Sequence, residues 1–347
     1  MNILVIRLSS LGDIILTAPL IKSLRQTYPD AQIDYCTKAE YAEVLRFNPN
    51  INNIIEADDN LTFSKLCSLK KILKHEQYDI VIDAHNKFNT FYLRLFLGRK
   101  TLKFKKYSFR KFLLVNFKIN LMKNLPPITE RYCNILIPLL RGVDVRHMPD
   151  SRGVLSEIYT DLYSQSQVEG LLIDIHLTDK KLICIVPSSK HFTKTYPTEL
   201  YAELINKFDK DKYSFALAGK GKDKINIDII KSKTGNNVFD LCDKLNTLEL
   251  FELIKKCRLV ISGDTGHMHI AEAAGVPIIM LAGSSVREFG FYPLLQNAVI
   301  LENNKLNCRP CSHIGRKSCP KMHFKCMREI TPEEIKNAAE SLLLVQK

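Results

Sequence analysis

The sequence predicts an α/β fold of two Rossmann-like domains in series, each a doubly wound parallel sheet. Three observations predict it. Short apolar runs of strand length alternate with longer segments of helical period, the alternation restarts in the second half, and glycine or hydroxyl-rich turns follow several of the runs. At 347 residues the chain can bury two separate cores.

In the first half, Asn2 to Ile6 is the opening strand. Arg7 interrupts it and no small-residue cleavage site follows, so it reads as a strand rather than a signal peptide. Helices are expected over 13–28, 39–47 and 61–75, and strands over 32–35, 53–56 and 79–83. After Asn86 the pattern blurs, and 130–140 reads as a helix. The segment 142–153, with Pro149 and little periodicity, marks the boundary region. The domains are set at 1–165 and 166–330, with a final segment 331–347 expected to pack back toward the N-terminal domain. The second half gives strands over 182–186, 214–218, 238–241 and 276–281. Helices are expected over 197–208, 222–231 and 248–255, and a last helix is capped by Thr331 with Pro332 in its first turn.

The most informative stretch is 258–285. Leu259 to Ile261 breaks at Ser262-Gly263-Asp264-Thr265-Gly266, a helix follows, and another strand comes next. Glycines permit close backbone approach, and the helix start offers unpaired N–H groups to an anion such as a diphosphate. Capping alone accounts for Asp264 and Thr265, but not for His267 and His269 in the same turn. The first loop, Arg7-Leu8-Ser9-Ser10-Leu11-Gly12-Asp13, lacks G-x-G-x-x-G, which disfavours a nicotinamide-dependent oxidoreductase. It sets Asp13 beyond the end of the first strand, where a carboxylate serves as a general base or simply favours the helix start. Ser188, Ser189 and Lys194 suit a phosphate clamp, and Asp223 a ribose hydroxyl or a first-turn acid.

A net charge of +13 implies anionic partners. Between Ala84 and Thr129 there is no acidic residue but there are eleven Lys or Arg, among them Lys103, Lys105, Lys106 and Arg110, interleaved with phenylalanines. Such a run suits an anionic membrane surface; single-stranded nucleic acid is the competing partner, but no nucleic-acid motif accompanies it. Of ten cysteines, six lie scattered in apolar segments and read as reduced thiols. Cys308, Cys311, Cys319 and Cys326 have zinc-ligand chemistry, yet their spacing does not form a second C-x-x-C.

Together these loops resemble glycosyltransferase family nine, the ADP-heptose:lipopolysaccharide heptosyltransferases. The motifs that carry the resemblance are R-L-S-S-L-G-D with T-A-P, P-S-S with K-T-Y-P, G-D-T-G-H-M-H, G-V-P with A-G-S-S, and the cysteine-rich tail. The resemblance implies a GT-B fold with two domains facing across a cleft, and an inverting transfer of heptose from ADP-heptose to a lipopolysaccharide inner-core acceptor, with no metal in the chemistry. It makes Asp13 the base. Ser188, Ser189, Lys194, Asp223, Asp264, Thr265, Gly266 and His269 become donor-binding residues; Ser10, Gly12, Lys103, Lys105, Lys106 and Arg110 are expected on the acceptor side. It also implies a cytoplasmic enzyme peripheral on the inner membrane face. A related nucleotide-sugar transferase and a non-catalytic nucleotide-sugar-binding protein are the alternatives. The chain departs from the family in having Tyr196 where tryptophan is common, Asp223 in a place often taken by glutamate, and A-G-S-S for F-G-P-T. These changes bear on the donor sugar rather than on the reaction type.

Overall fold

The computed structural model describes residues 1–139, 155–175, 177 and 180–344. The expected boundary region 142–153 lies outside these. In chain order the elements are β1 (Asn2–Ile6), α1 (Leu11–Ile15), α2 (Ala18–Thr27), β2 (Gln32–Lys38), α3 (Ala39–Ala42), β3 (Asn53–Ala57), α4 (Phe63–His75), β4 (Tyr78–Asp83), α5 (Phe88–Arg94) and β5 (Gly98–Lys103). Next come α6 (Ser108–Phe117), α7 (Ile128–Cys133), α8 (Leu162–Asp174), β6 (Lys181–Val186), α9 (Thr198–Asn206), β7 (Tyr213–Leu217), α10 (Lys224–Ser232), β8 (Val238–Asp240) and α11 (Thr247–Lys256). The chain closes with β9 (Leu259–Gly263), α12 (Gly266–Ala273), β10 (Ile278–Leu281), β11 (Ala298–Leu301), α13 (Lys325–Arg328) and α14 (Pro332–Leu344).

The first sheet is parallel, in the order β3-β2-β1-β4-β5. Its order reverses between β1 and β4, so loops leaving those two strands open a crevice at their carboxyl ends. Leu4, Ile6 and Val81 of the central strands pack with Leu66, Leu69 and Leu73 of α4. Thr62 caps α4 by accepting from Lys65 N at 3.4 Å. The helix expected over 13–28 is two helices. Pro19 stands in the first turn of α2, where its missing N–H is tolerated, and Thr17 Oγ1 turns back to donate to Ile14 O at 2.6 Å. The helix expected over 130–140 likewise ends at Cys133 and continues as a 3₁₀ turn that contains Pro138.

The second sheet is also parallel, β11-β10-β9-β6-β7-β8, and reverses between β9 and β6. Its core includes Ile183, Phe215, Ile261, Ile279 and, from α14, Ile335, Ala339 and Leu343. The final helix therefore belongs to this core. Its apolar stripe has Ile335, Ala339 and Leu343 at i, i+4 and i+8, one face of a helix that the sheet and α9 cover. Thr331 and Glu334 form the capping box: Thr331 Oγ1 accepts from Glu334 N at 3.2 Å and Glu334 Oε2 accepts from Thr331 N at 2.7 Å.

By contacts the chain forms two compact units, Met1–Tyr107 with Pro126–Tyr159, and Ser108–Leu125 with Thr160–Lys347. The segment 108–125, set within an N-terminal domain ending at 165 on sequence grounds, is thus part of the second unit. Lys118 Nζ donates to the carbonyls of Cys308 (3.2 Å) and Pro310 (2.7 Å), and Asn120 Nδ2 to Glu288 Oε1 (2.7 Å).

Candidate active site

At the carboxyl end of β1, Asp13 sits in the first helical turn with 18% of its side chain exposed. Arg7 Nη2 lies 2.6 Å from its Oδ2, Ser10 Oγ donates to the same oxygen at 2.9 Å, and Tyr132 OH donates to Oδ1 at 3.1 Å. Arg7 is held in turn by donation from Nη1 to Ala84 O at 2.8 Å. Burial opposes charge on the carboxyl, but the Arg7 charge and the Ser10 and Tyr132 hydrogen bonds outweigh it, so Asp13 stays below the usual carboxylate range. Ser10 is exposed and Gly12 buried.

The loop after β4 closes on the same place. Asp83 accepts from the backbone N–H of His85 (3.1 Å) and Asn86 (2.6 Å), and Arg94 Nη1 reaches its other oxygen at 2.9 Å. Lys106 follows β5, and the charges of Arg7, Lys87, Asp83 and Asp13 all act on it. Lys103 and Lys105 are exposed, the latter with Nζ 5.0 Å from the Tyr107 ring centre. Arg110 is on α6, in the second unit, where Nη1 donates to Leu121 O at 3.3 Å. Of the four basic residues expected on the acceptor side, Lys106 is the one on which the Asp13 charge acts.

In the second unit, loops from β6, β7, β9 and β10 converge. Lys194 Nζ lies 2.6 Å from Asp264 Oδ2, with side chains 15% and 10% exposed, and Ser285 Oγ donates to the same oxygen. Burial raises the cost of charge on Asp264, yet Lys194, Ser285 and His269 hold its pKa down. Thr265 is the N-cap of α12 but makes no side-chain cap; its Oγ1 pairs with Ser262 Oγ at 3.2 Å. The first-turn N–H groups of α12 are therefore left without a side-chain cap, as an anion site requires. Asp223 Oδ2 accepts from Lys220 N at 3.0 Å and closes its own turn, while its charge acts on His267 in the first turn of α12. Ser188 is buried and accepts from Asn226 Nδ2 at 2.9 Å; Ser189 Oγ accepts from His191 N at 3.4 Å. His269 is buried 3.3 Å from Glu272, so it is oriented by α12 itself.

Gly263 is required here by space. A Cβ on it would stand 2.5 Å from Lys194 O, and backbone cannot retreat as a flexible side chain can. Gly263→Ala should destabilise the protein by about 3 kcal/mol, the upper part of the range for overpacking, which thermal melts would read.

Several residues in these loops carry no motif of their own. Ser285 lies in A-G-S-S, but its partner Asp264 is set by the fold. Arg309, from the cysteine-rich tail, donates to the carbonyls of Gly283 (Nε, 2.7 Å), Ala282 (Nη2, 3.0 Å) and Ser285 (Nη2, 2.7 Å), which makes the tail a buttress for the β10 loop. Cys308 Sγ lies 3.8 Å from His323 Nε2, and Cys326 is buried. Among the described residues, no group of three or more His, Cys, Asp or Glu is arranged to hold a metal ion. Nor is any described helix long and apolar enough to cross a membrane.

With this geometry in place, comparison with known proteins gives consistent matches. The signature described as glycosyltransferase family 9 (heptosyltransferase) matches residues 66–322, well over half of the chain. Lipooligosaccharide heptosyltransferase 2 of Haemophilus influenzae is 27% identical over 312 residues, covering 87% of this chain and 88% of that protein. A family 9 glycosyl transferase from Veillonella parvula superposes with a TM-score of 0.80 at 23% identity, covering 99% of this chain and 97% of that one. The ADP-heptose lps heptosyltransferase II structure from E. coli gives 0.78 at 22% identity, covering 100% of this chain and 99% of that one. The two parallel-sheet units have the GT-B fold of these neighbours.

Proposed function

The chain belongs to glycosyltransferase family 9 (heptosyltransferase), and on that premise we propose that it moves a heptose from ADP-heptose to the inner core of lipopolysaccharide with inversion at the anomeric carbon. The single observation that carries the mechanism is the ionised, oriented Asp13 at the switch point of the first sheet. Its carboxylate takes the proton of the acceptor hydroxyl, the oxygen attacks the anomeric carbon, and the bond to the diphosphate breaks with its electron pair leaving on ADP. Charge developing on the departing diphosphate is met by the N–H groups opening α12 and by Lys194. Ser188, Ser189 and His269 line the donor loops, with Asp223 toward the nucleoside. Ser10 and Gly12 flank the acceptor hydroxyl, and Lys103, Lys105, Lys106 and Arg110 attract its phosphorylated lipid.

The reading also puts the protein at the inner face of the cytoplasmic membrane. Phe109 (70% exposed) and Phe117 (62%) on α6, beside Arg110, Lys111 and Lys118, suit an anionic lipid boundary. Nucleic acid is ranked below it.

The test is incubation of the chain with ADP-heptose and defined core acceptors. Release of ADP with a product of opposite anomeric configuration supports the proposal; retained configuration, or turnover of a different nucleotide sugar only, overturns it. The Asp13 environment adds a pH prediction. Because Arg7 helps to hold the Asp13 pKa down, Arg7→Gln should raise it and shift the acidic limb of kcat/KM to higher pH. The same sign governs stability: the contribution of Asp13 is present above its unfolded pKa of about 4 and lost as pH falls through the lower folded value, and Arg7→Gln removes most of it. Parallel pH profiles of the two proteins would check both.

A further inference from the structure

His85, at the carboxyl end of β4, is 4% exposed. Leu8 N donates to its Nδ1 at 3.1 Å, so the neutral ring carries its hydrogen on Nε2. That Nε2 is buried without a hydrogen-bond partner, and so is Nε of Arg7, whose two terminal nitrogens are committed to Ala84 O and Asp13. Two unsatisfied N–H donors in one small region are unusual in a native interior. The electrostatics point the same way. Burial and the charges of Arg7, Lys87 and Lys106 push the His85 pKa down to about 3, with Asp13 alone opposing among the named charges. Lys106 is depressed by burial, Lys87 and Arg7. The carboxylates within reach are engaged elsewhere, Asp83 by Arg94 and two backbone N–H groups, Asp13 by Arg7, Ser10 and Tyr132.

A compact oxyanion would supply both missing elements, an acceptor for the two donors and a counter-charge for Lys106. We propose that His85 Nε2, Arg7 Nε and Lys106 form an oxyanion subsite beside Asp13 that takes a phosphate or carboxylate group of the acceptor. The anion anchors the acceptor so that a neighbouring hydroxyl meets the base, which makes His85 and Lys106 positioning residues. Neither donor atom touches solvent, so occupancy entails a shift of neighbouring side chains, of which Lys106 is the long flexible one. The identity of the ligand as an acceptor group rests on the transferase reading; the subsite itself does not.

The full-length protein, with its donor loops saturated by ADP, is titrated calorimetrically with inorganic phosphate and, separately, with acetate. One of the anions should bind, and Lys106→Gln and His85→Leu should each weaken it at least tenfold while ADP affinity changes by less than twofold. His85→Gln, which keeps an N–H donor, should recover part of the loss; a purely scaffolding His85 would give equal losses. In transfer assays Lys106→Gln should raise the acceptor KM about tenfold with a much smaller change in kcat. Acceptors stripped of phosphate or amidated at their carboxylates separate the two sources, since the altered acceptor that no longer responds to Lys106→Gln is the one that lost the anchored group. Absence of binding by either anion, or binding undiminished in both Lys106→Gln and His85→Leu, overturns the subsite. Variant-sensitive anion binding in a protein that transfers no heptose overturns the functional reading and leaves the subsite standing.

Discussion

Asp13→Asn is expected to lower transfer about a thousandfold, within the range for loss of a general base, while ADP affinity changes by less than about twofold. The change keeps the size of the side chain and removes the carboxylate proposed to accept a proton from the acceptor. It also leaves Arg7, 9% exposed, without its ion partner, so stability should fall by about 3 kcal/mol. Melting temperature, ADP titration and turnover therefore need to be measured together. Loss of transfer in a folded protein that still binds ADP isolates the chemistry. Equal loss of transfer and ADP binding would remove the base assignment, because Arg7, Ser10 and Tyr132, which hold Asp13, belong to the first unit, whereas the loops proposed to bind the nucleotide belong to the second.

Lys194→Ala should produce the second large effect, on donor binding. The Lys194–Asp264 pair is mostly buried, and removal of one partner leaves the other charge uncompensated, at a cost of about 3–5 kcal/mol. The cation would also be missing from the place where the leaving diphosphate is proposed to gather charge, so both the donor KM and kcat should suffer, together by two orders of magnitude or more in kcat/KM. Lys194→Arg should recover stability better than activity, because a guanidinium keeps the charge but not the point geometry. A Lys194→Ala protein with lowered stability and unchanged donor kinetics would reduce Lys194 to a structural partner of Asp264.

What could be read from the residues alone follows from how each element is buried. β1, β4, β6 and β9 are covered on both faces and appear as continuous apolar runs, so their places were legible. β5 was not, because Gly98-Arg99-Lys100-Thr101-Leu102-Lys103 is an edge strand with Leu102 as its buried residue, and its basic side chains hide the pleat. β11, also an edge strand, is only half-buried throughout. In the site, Asp13 and Asp264 stand out locally because each follows a strand. Their partners do not: Tyr132 is 119 residues from Asp13, and Ser285 is 21 from Asp264. Such pairings exist only once the parallel sheet has gathered its strand ends. The supporting role of Arg309, although it lies within the cysteine-rich tail, and the orphaned His85 nitrogen are invisible for the same reason, since each is defined by what surrounds it.

The path of the chain has a consequence for any attempt to divide the protein. Because 108–125 packs with the second unit before the polypeptide returns for 126–159, the backbone passes from one body to the other at three separate points. No single cut yields two intact halves. A fragment ending at 159 would carry Lys118 away from the carbonyls of Cys308 and Pro310, and Asn120 away from Glu288. The complementary fragment would have a bare docking site for the lost segment. The two units are thus stitched rather than tethered, and functional exchange of one of them between relatives would have to transplant two stretches of sequence at once.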